Sequence, residues 1–358
     1  MTKKLSSETN LPWWKKGVIY QIYPRSFNDT SGNGIGDLKG ISKKISYLSS
    51  LGVDALWLSP IFTSPMKDMG YDVSNYTDID PLFGNILDFE KLIKKAKENK
   101  IKVIIDQVLS HSSDAHPFFK LSKSNKNNSK SDWYVWADPK PDGSPPNNWL
   151  SVFGGSAWEW DTGREQYYLH NFLKSQPDFN FHNLEVQKWL LSTVKFWLEK
   201  GVDGFRLDTA NYYFHDKKLR NNPAIKSRAS GKNPYYYQNL KYSINQKDNF
   251  AFLKKLRKLT DQYKETTMIG EISNVELQAK YTANNDKLHM AYSFDLLRDE
   301  FSPKHIRNTV SKFFKETKDG WPTWSFSNHD VVRHLSRWNK TKKDRQKFAK
   351  LTCALLMS

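Results

Sequence analysis

Gly204-Phe205-Arg206-Leu207-Asp208 reads as a short strand that ends in a carboxylate. Side chains alternate along a strand, so Arg206 and Asp208 share one face while Phe205 and Leu207 share the other. A cation and a carboxylate on one inward face are costly to bury unless they are paired. A guanidinium beside a carboxyl lowers its pKa, so Arg206 would hold Asp208 ionised, as a covalent nucleophile requires. A structural ion pair inside a core is the other reading of the same five residues.

Working outward, short β-branched or aromatic runs alternate with longer amphipathic, Lys-rich segments. Strands are expected at 18–23, 55–58, 103–106, 204–208, 267–272, 290–294 and 323–327. Helices are expected at 37–51, 88–99, 185–200, 249–263, 303–315 and from about 342 to the end. Such alternation implies parallel βαβ units. About seven strands favour an α/β fold of the (β/α)8 TIM-barrel type, left incomplete, over an open sheet. Between 109 and 184 the alternation stops in favour of Ser, Asn, Pro, Gly and Trp, too long a stretch for a compact loop. The expected organisation is therefore barrel over 1–108, an inserted subdomain B over 109–184 after the third strand, and barrel again over 185–358.

Composition narrows the function. The chain has 358 residues, enough for one large or two ordinary domains, with 14% aromatics including 13 Trp and 17 Tyr. Aromatics pack cores and also build stacking platforms for sugars or bases. The net charge of +17 comes mostly from Lys spread over polar helical faces, such as Lys94-Lys95-Ala96-Lys97, without clustered Arg. That pattern argues against nucleic acid as a partner. The single cysteine, Cys353, excludes an internal disulfide and points to a reducing, cytoplasmic setting. The polar stretch at 1–8 does not read as a signal peptide, and no run approaches a membrane span.

Three carboxylates end three expected strands: Asp208, Glu271 in Met268-Ile269-Gly270-Glu271, and Asp330 in Ser327-Asn328-His329-Asp330. Asp106 ends a fourth, with His111 five residues later. A lone carboxylate there is most often a helix cap. Four at one end of a barrel would converge on one cavity and raise each other's pKa. One protonated and one ionised carboxyl is the pairing that glycoside hydrolysis uses.

With these segments in order, the chain resembles the α-amylase superfamily of glycoside hydrolases, and within it the α-glucosidase and oligo-1,6-glucosidase branch. Trp13-Trp14-Lys15 and the stretch from Val18 to Phe27 look like the branch's first strand, and Gln176-Pro177-Asp178-Phe179-Asn180 like a signature in its inserted subdomain. The resemblance implies a retaining, exo-acting α-glucosidase that needs no cofactor. Asp208 would be the nucleophile, Glu271 the general acid and base, and Asp330 a binder of ring hydroxyls. Arg206 would keep Asp208 charged, His111 and His329 would hydrogen-bond the reacting sugar, and Tyr71 would stack on it. Asp68 resembles the residue that grips a terminal glucose, and Phe153 and Phe172 would line the pocket. Thr209, after the nucleophile, goes with α-1,4 linkages in this branch; it also simply suits a strand end.

The loop Asp29-Thr30-Ser31-Gly32-Asn33-Gly34-Ile35-Gly36-Asp37 alternates oxygen donors as a cation loop does. Asp29, Ser31, Asn33, Ile35 and Asp37 would hold a structural Ca²⁺ or Mg²⁺. Members with this site commonly carry three charged residues where two stand here, so a Gly-rich turn is the alternative. Ser110 departs from the Asn frequent in its segment. The resemblance further implies an eighth strand and helix and a C-terminal β-sandwich after Ser358, and an Arg partner for Asp68 in that absent part. Neither Arg333 nor Arg337 matches its position. The 358 residues taken alone are thus expected to be poorly stable and weakly active. The expected partners are small α-glucosides, with a monomer or weak homodimer for the full length. Sucrose hydrolysis, trehalose- or isomaltulose-forming transfer, an inactive carbohydrate-binding remnant and a non-catalytic transporter heavy chain are the competing readings. The last needs a membrane span and no acid trio.

Overall fold

All but the last of the expected strands join one sheet in the computed structural model, which describes residues 11–225, 233–339 and 344–358. The polar stretch at 1–8 and the expected helix start near 342 lie outside the described residues. Strands β1 (Ile19–Ile22), β2 (Ala55–Leu58), β3 (Lys102–Gln107), β4 (Gly204–Leu207), β5 (Thr267–Ile272) and β6 (Met290–Ser293) pair side by side in that order. Every neighbouring pair is parallel. The sheet curls as an incomplete barrel, open between β1 and β6 among the described residues.

Parallel strands need crossover connections, and helices supply them. They are α1 (Leu38–Ser50), α2 (Ile86–Glu98), α3 (Leu184–Glu199), α4 (Asp248–Thr260) and α5 (Val275–Thr282), and α6 (Pro303–Glu316) and α7 (Arg345–Met357) follow the last strand. Five of the seven starts are set by short polar side chains that accept from first-turn amides. Asp37 accepts from Gly40, Asn85 from Leu87 and Asp88, Asn183 from Glu185, Asn274 from Leu277, and Ser302 from His305.

Period-two alternation sorts each strand between two cores. Leu56, Leu58, Val103, Ile105, Phe205, Leu207, Met268 and Ile272 face the helices in the larger cluster. Ala55, Trp57, Ile104, Ile269, Met290 and Tyr292 face the barrel interior in a second one. Gly204 lets β4 and β5 close up, since a Cβ there would stand 2.3 Å from the carbonyl oxygen of Thr267.

Two expectations are corrected. The strand at 323–327 does not form, so the sheet has six strands rather than about seven. Only a bridge between Ala291 and Pro322 continues past β6, with the Thr323 amide donating to the Ala291 carbonyl at 2.8 Å. Pro322 has no N–H for a ladder, and the following carbonyls turn to side chains: Phe326 to Arg337 and Ser327 to Ser325. Conversely, α5 links β5 to β6 where no helix was expected.

The stretch 109–184 builds a helix, Pro117–Ser124, and a three-stranded antiparallel sheet with Gln166–Leu169 between Trp136–Ala137 and Trp158–Asp161. Val135, Trp149, Ala157, Trp158 and Leu169 give it a core of its own. A smaller antiparallel pair, Phe62–Thr63 with Asn75–Ile79, brackets the turn that carries Asp68 and Tyr71.

Candidate active site

The inward faces of five adjacent strands converge on one guanidinium. Asp106 on β3 is in register with Arg206 on β4, and Glu271 on β5 with Tyr292 on β6. Arg206 is 1% exposed. Its Nη1 donates to Asp106 Oδ1 at 2.8 Å and to Asp208 Oδ1 at 2.7 Å, and its Nη2 lies 2.9 Å from Glu271 Oε1. Trp57 Nε1 donates to the other oxygen of Asp106 at 3.1 Å, and the guanidinium stands 5.0 Å from the Trp57 ring centre. Thr209 takes a left-handed backbone (φ 41°), unusual for a β-branched residue. That conformation accompanies a hydrogen bond donated by the Thr209 N–H to Glu271 Oε2 at 3.0 Å.

The electrostatics correct the expectation that Arg206 alone keeps Asp208 ionised. Arg206 does touch Asp208, but one positive charge is shared among three buried carboxylates. Burial, together with Glu271 and Asp106, raises the Asp208 carboxyl well above its ordinary range against the pull of Arg206. Burial also pushes Asp106 up, only partly offset by Arg206. Glu271 ends below its usual value: burial raises it, but Arg206, the Thr209 amide, His329 and the Tyr292 hydroxyl together outweigh that. Asp330 is raised to about 7 by burial and by Glu271, although 40% of its side chain reaches solvent. The cluster therefore retains a proton at neutral pH that belongs to the group rather than to one residue.

A cavity of about 1070 Å³ lies above this floor, lined by Asp68, Tyr71, His111, Phe153, Phe172, His329 and Asp330 besides Asp208 and Glu271. All the expected sugar contacts are thus brought together, but several are already engaged. Gln21 Nε2 lies 2.9 Å from His329 Nδ1, and Tyr71 Oη lies 2.7 Å from His329 Nε2. Since the amide of Gln21 donates, Nδ1 accepts and Nε2 carries the hydrogen toward Tyr71. Tyr71 in turn donates its hydroxyl hydrogen bond to Asp106 Oδ2 at 3.0 Å. Both nitrogens of His329 face protein, and its ring is stacked on Tyr71 at 5.2 Å and 7°. One face of the expected sugar platform is therefore covered by His329. His111 is buried, 2.9 Å from Ser110 Oγ and 3.2 Å from the Tyr71 carbonyl, and burial lowers its pKa to about 4. Asp68 accepts from Gln176 Nε2 at 2.8 Å, across 108 residues of sequence. Arg337 is committed to the carbonyls of Arg298, Val332 and Phe326. At the mouth, Phe153 is 57% exposed and meets Phe172 edge-on at 5.9 Å. Tyr212, Tyr235, Tyr236 and Arg298 also line the cavity. These four, with Tyr292, carry no motif that singles them out in the sequence, and Gln176, though part of the 176–180 signature, takes no role from it; only the folding of distant segments assembles them.

The 29–37 loop closes on itself. Asp29 Oδ1 accepts from the amides of Ser31 and Gly32 and Oδ2 from that of Gly34, each at 2.8 Å. Asn33 accepts from the Ile35 amide. Asp37 binds Thr30 with one oxygen and caps α1 with the other. Each carboxylate oxygen thus has an N–H partner, and no group of three or more His, Cys, Asp or Glu is placed to hold a metal among the described residues. The donor set fits a self-satisfied turn better than a cation cage.

Residues 21–358 match the Alpha amylase, catalytic domain family. A probable alpha-glucosidase of Rhizobium meliloti (strain 1021) is 53% identical over 98% of this chain and 66% of its own length. An oligo-1,6-glucosidase of Heyndrickxia coagulans is 40% identical over 96% of this chain and 64% of its own. The crystal structure of an alpha-glucosyl transfer enzyme, XgtA, superposes with a TM-score of 0.94 at 53% identity, covering 97% of this chain and 66% of that one. The chain thus spans somewhat under two thirds of these relatives' length. No described helix is long and apolar enough to cross a membrane.

Proposed function

Because the chain belongs to the Alpha-amylase catalytic-domain family, we propose that its protein is a retaining, exo-acting α-glucosidase on short α-glucosides. The observation that carries this reading is one guanidinium holding both Asp208 (2.7 Å) and Glu271 (2.9 Å) on the cavity floor. Two carboxyls on adjacent strands that share one guanidinium suit double displacement once the cluster's proton sits on Glu271 and Asp208 is ionised, the reverse of the directions in which the free site pushes them. Asp208 attacks the anomeric carbon while Glu271 gives its proton to the glycosidic oxygen. The old C–O bond breaks, and an ester to Asp208 forms. Glu271 then takes a proton from water or from a second sugar's hydroxyl, whose oxygen displaces Asp208 with net retention. For the first step the proton shared by the cluster passes to Glu271, which leaves Asp208 ionised against Arg206 Nη1 at 2.7 Å. Asp330 and Asp68 bind hydroxyls of the terminal glucose.

The α-1,4 preference rests on Thr209, whose Oγ1 lies 2.9 Å from Ser110 Oγ and 3.4 Å from Asp208 Oδ2. The aromatic mouth formed by Phe153, Tyr212, Tyr235 and Tyr236 favours a second reading, in which a stacked acceptor takes the glucosyl group in place of water. Glucose release from maltose, isomaltose and sucrose by the full-length protein tests both readings. Maltose should turn over fastest, and Asp208→Asn should lose at least about a thousandfold in kcat. An active Asn variant would remove Asp208 as nucleophile. Oligosaccharides exceeding free glucose at high maltose would establish transfer.

A further inference from the structure

Tyr292 is 4% exposed on β6, and its ring packs beside Trp57 with centres 6.0 Å apart. A phenylalanine would fill that space equally well. The hydroxyl does something the ring does not. Arg206 Nε (3.2 Å) and Nη2 (2.7 Å) both donate to it, and the phenol oxygen lies 3.1 Å from Glu271 Oε1. A guanidinium cannot accept, so the single phenol proton is directed to Oε1. That oxygen also faces Arg206 Nη2 at 2.9 Å, whereas Oε2 receives only the Thr209 amide at 3.0 Å. One hydroxyl donor and one guanidinium ion pair occupy Oε1.

Resting on the reading of Glu271 as general acid and base, we propose that Tyr292 is a positioning residue: it reserves Glu271 Oε1 for the protein and leaves Oε2 as the oxygen that carries the reaction proton. Register supports the assignment, because Glu271 and Tyr292 are direct partners on adjacent strands and share the inward face. The Tyr292 hydroxyl thereby stabilises the carboxylate form that must act as base in the second half of the cycle. The other charged groups around Glu271 are Arg206, Asp208 and Asp106 from β4 and β3, and His329 and Asp330 from the loop after α6. Tyr292→Phe keeps these groups but removes both the donor to Oε1 and the acceptor of Arg206 Nε and Nη2.

The test is the pH profile of kcat/KM for maltose in the full-length protein. The alkaline limb, which reports loss of the acid's proton in the free enzyme, should move up by about one pH unit in Tyr292→Phe, as expected for losing one hydrogen bond to a charged group. Site-specific 3-fluorotyrosine at 292 keeps the bulk and strengthens the donor, so it should move the limb down; it also serves if the Phe variant folds poorly. A limb present in the wild type and immobile in both variants overturns the proposal alone, even if the melting temperature falls. A wild type without turnover, or Glu271→Gln with turnover intact, overturns the reading of Glu271 and the proposal with it.

Discussion

Two sets of carboxylates follow strands of the same sheet, and their surroundings give them opposite chemistry. Asp29 and Asp37 lie in the loop between β1 and α1, while Asp106, Asp208 and Glu271 lie at the ends of β3, β4 and β5. In the loop, backbone amides do the work: Gly34, Gly32 and Ser31 hold Asp29 below its ordinary range. Desolvation of Asp37 is outweighed by Thr30 and the Gly40 amide. On the barrel floor, burial is the largest influence, and a single arginine divides its charge three ways. Each loop carboxylate is satisfied locally; the floor is satisfied only as a group. Local satisfaction makes a turn, whereas collective satisfaction leaves a proton free to move.

Removing Arg206 should have the largest effect on this contrast. Arg206→Met leaves buried carboxylates without a cation, at a cost of about 3–5 kcal/mol in unfolding free energy near pH 7. The loss should shrink at pH 5, where the cluster takes up protons. Urea unfolding at both values measures it, and an equal loss at both would show that Arg206 acts through packing alone.

A smaller effect is expected at Asp330. Its folded carboxyl, raised to about 7, keeps a proton that the unfolded one gives up near 4. The native state therefore binds more protons between these values, and stability falls as pH rises through the window. Asp330→Asn does not titrate, so its melting temperature relative to the wild type should climb from pH 4 to pH 7 and then level off. A flat difference would place Asp330 in solvent rather than in the cluster.

The smallest effect belongs to the loop. Asp29→Asn keeps most of the amide contacts and should lower the melting temperature only a few degrees. EDTA should leave the wild-type value unchanged, because the acceptors are already matched by N–H groups. A marked fall with EDTA, restored by Ca²⁺, would show that the loop holds a cation.

Much of the floor was legible in the strands themselves. Alternation places Arg206 with Asp208, and it likewise separates Phe205 and Leu207 toward the helices. Asp37 and Glu271 could be marked by position alone. The polar chain Gln21–His329–Tyr71–Asp106 was not legible, because it joins residues up to 308 apart and nothing local demands it. His329 and Tyr71 were expected to meet a sugar separately, yet they stack on each other. The strand at 323–327 failed for a related reason: its β-pattern was sound, but Pro322 and the edge of the sheet offered no continuing ladder.

By itself, then, the sequence determined the βα repeat, the inward placement of Arg206 and Asp208, and the carboxylates at strand ends, since each follows from short-range periodicity. The tertiary structure alone decided how one guanidinium is shared, which way each carboxyl is pushed, and that Tyr292 faces Glu271. Those depend on burial and on the register between strands, and both arise only when distant segments pack.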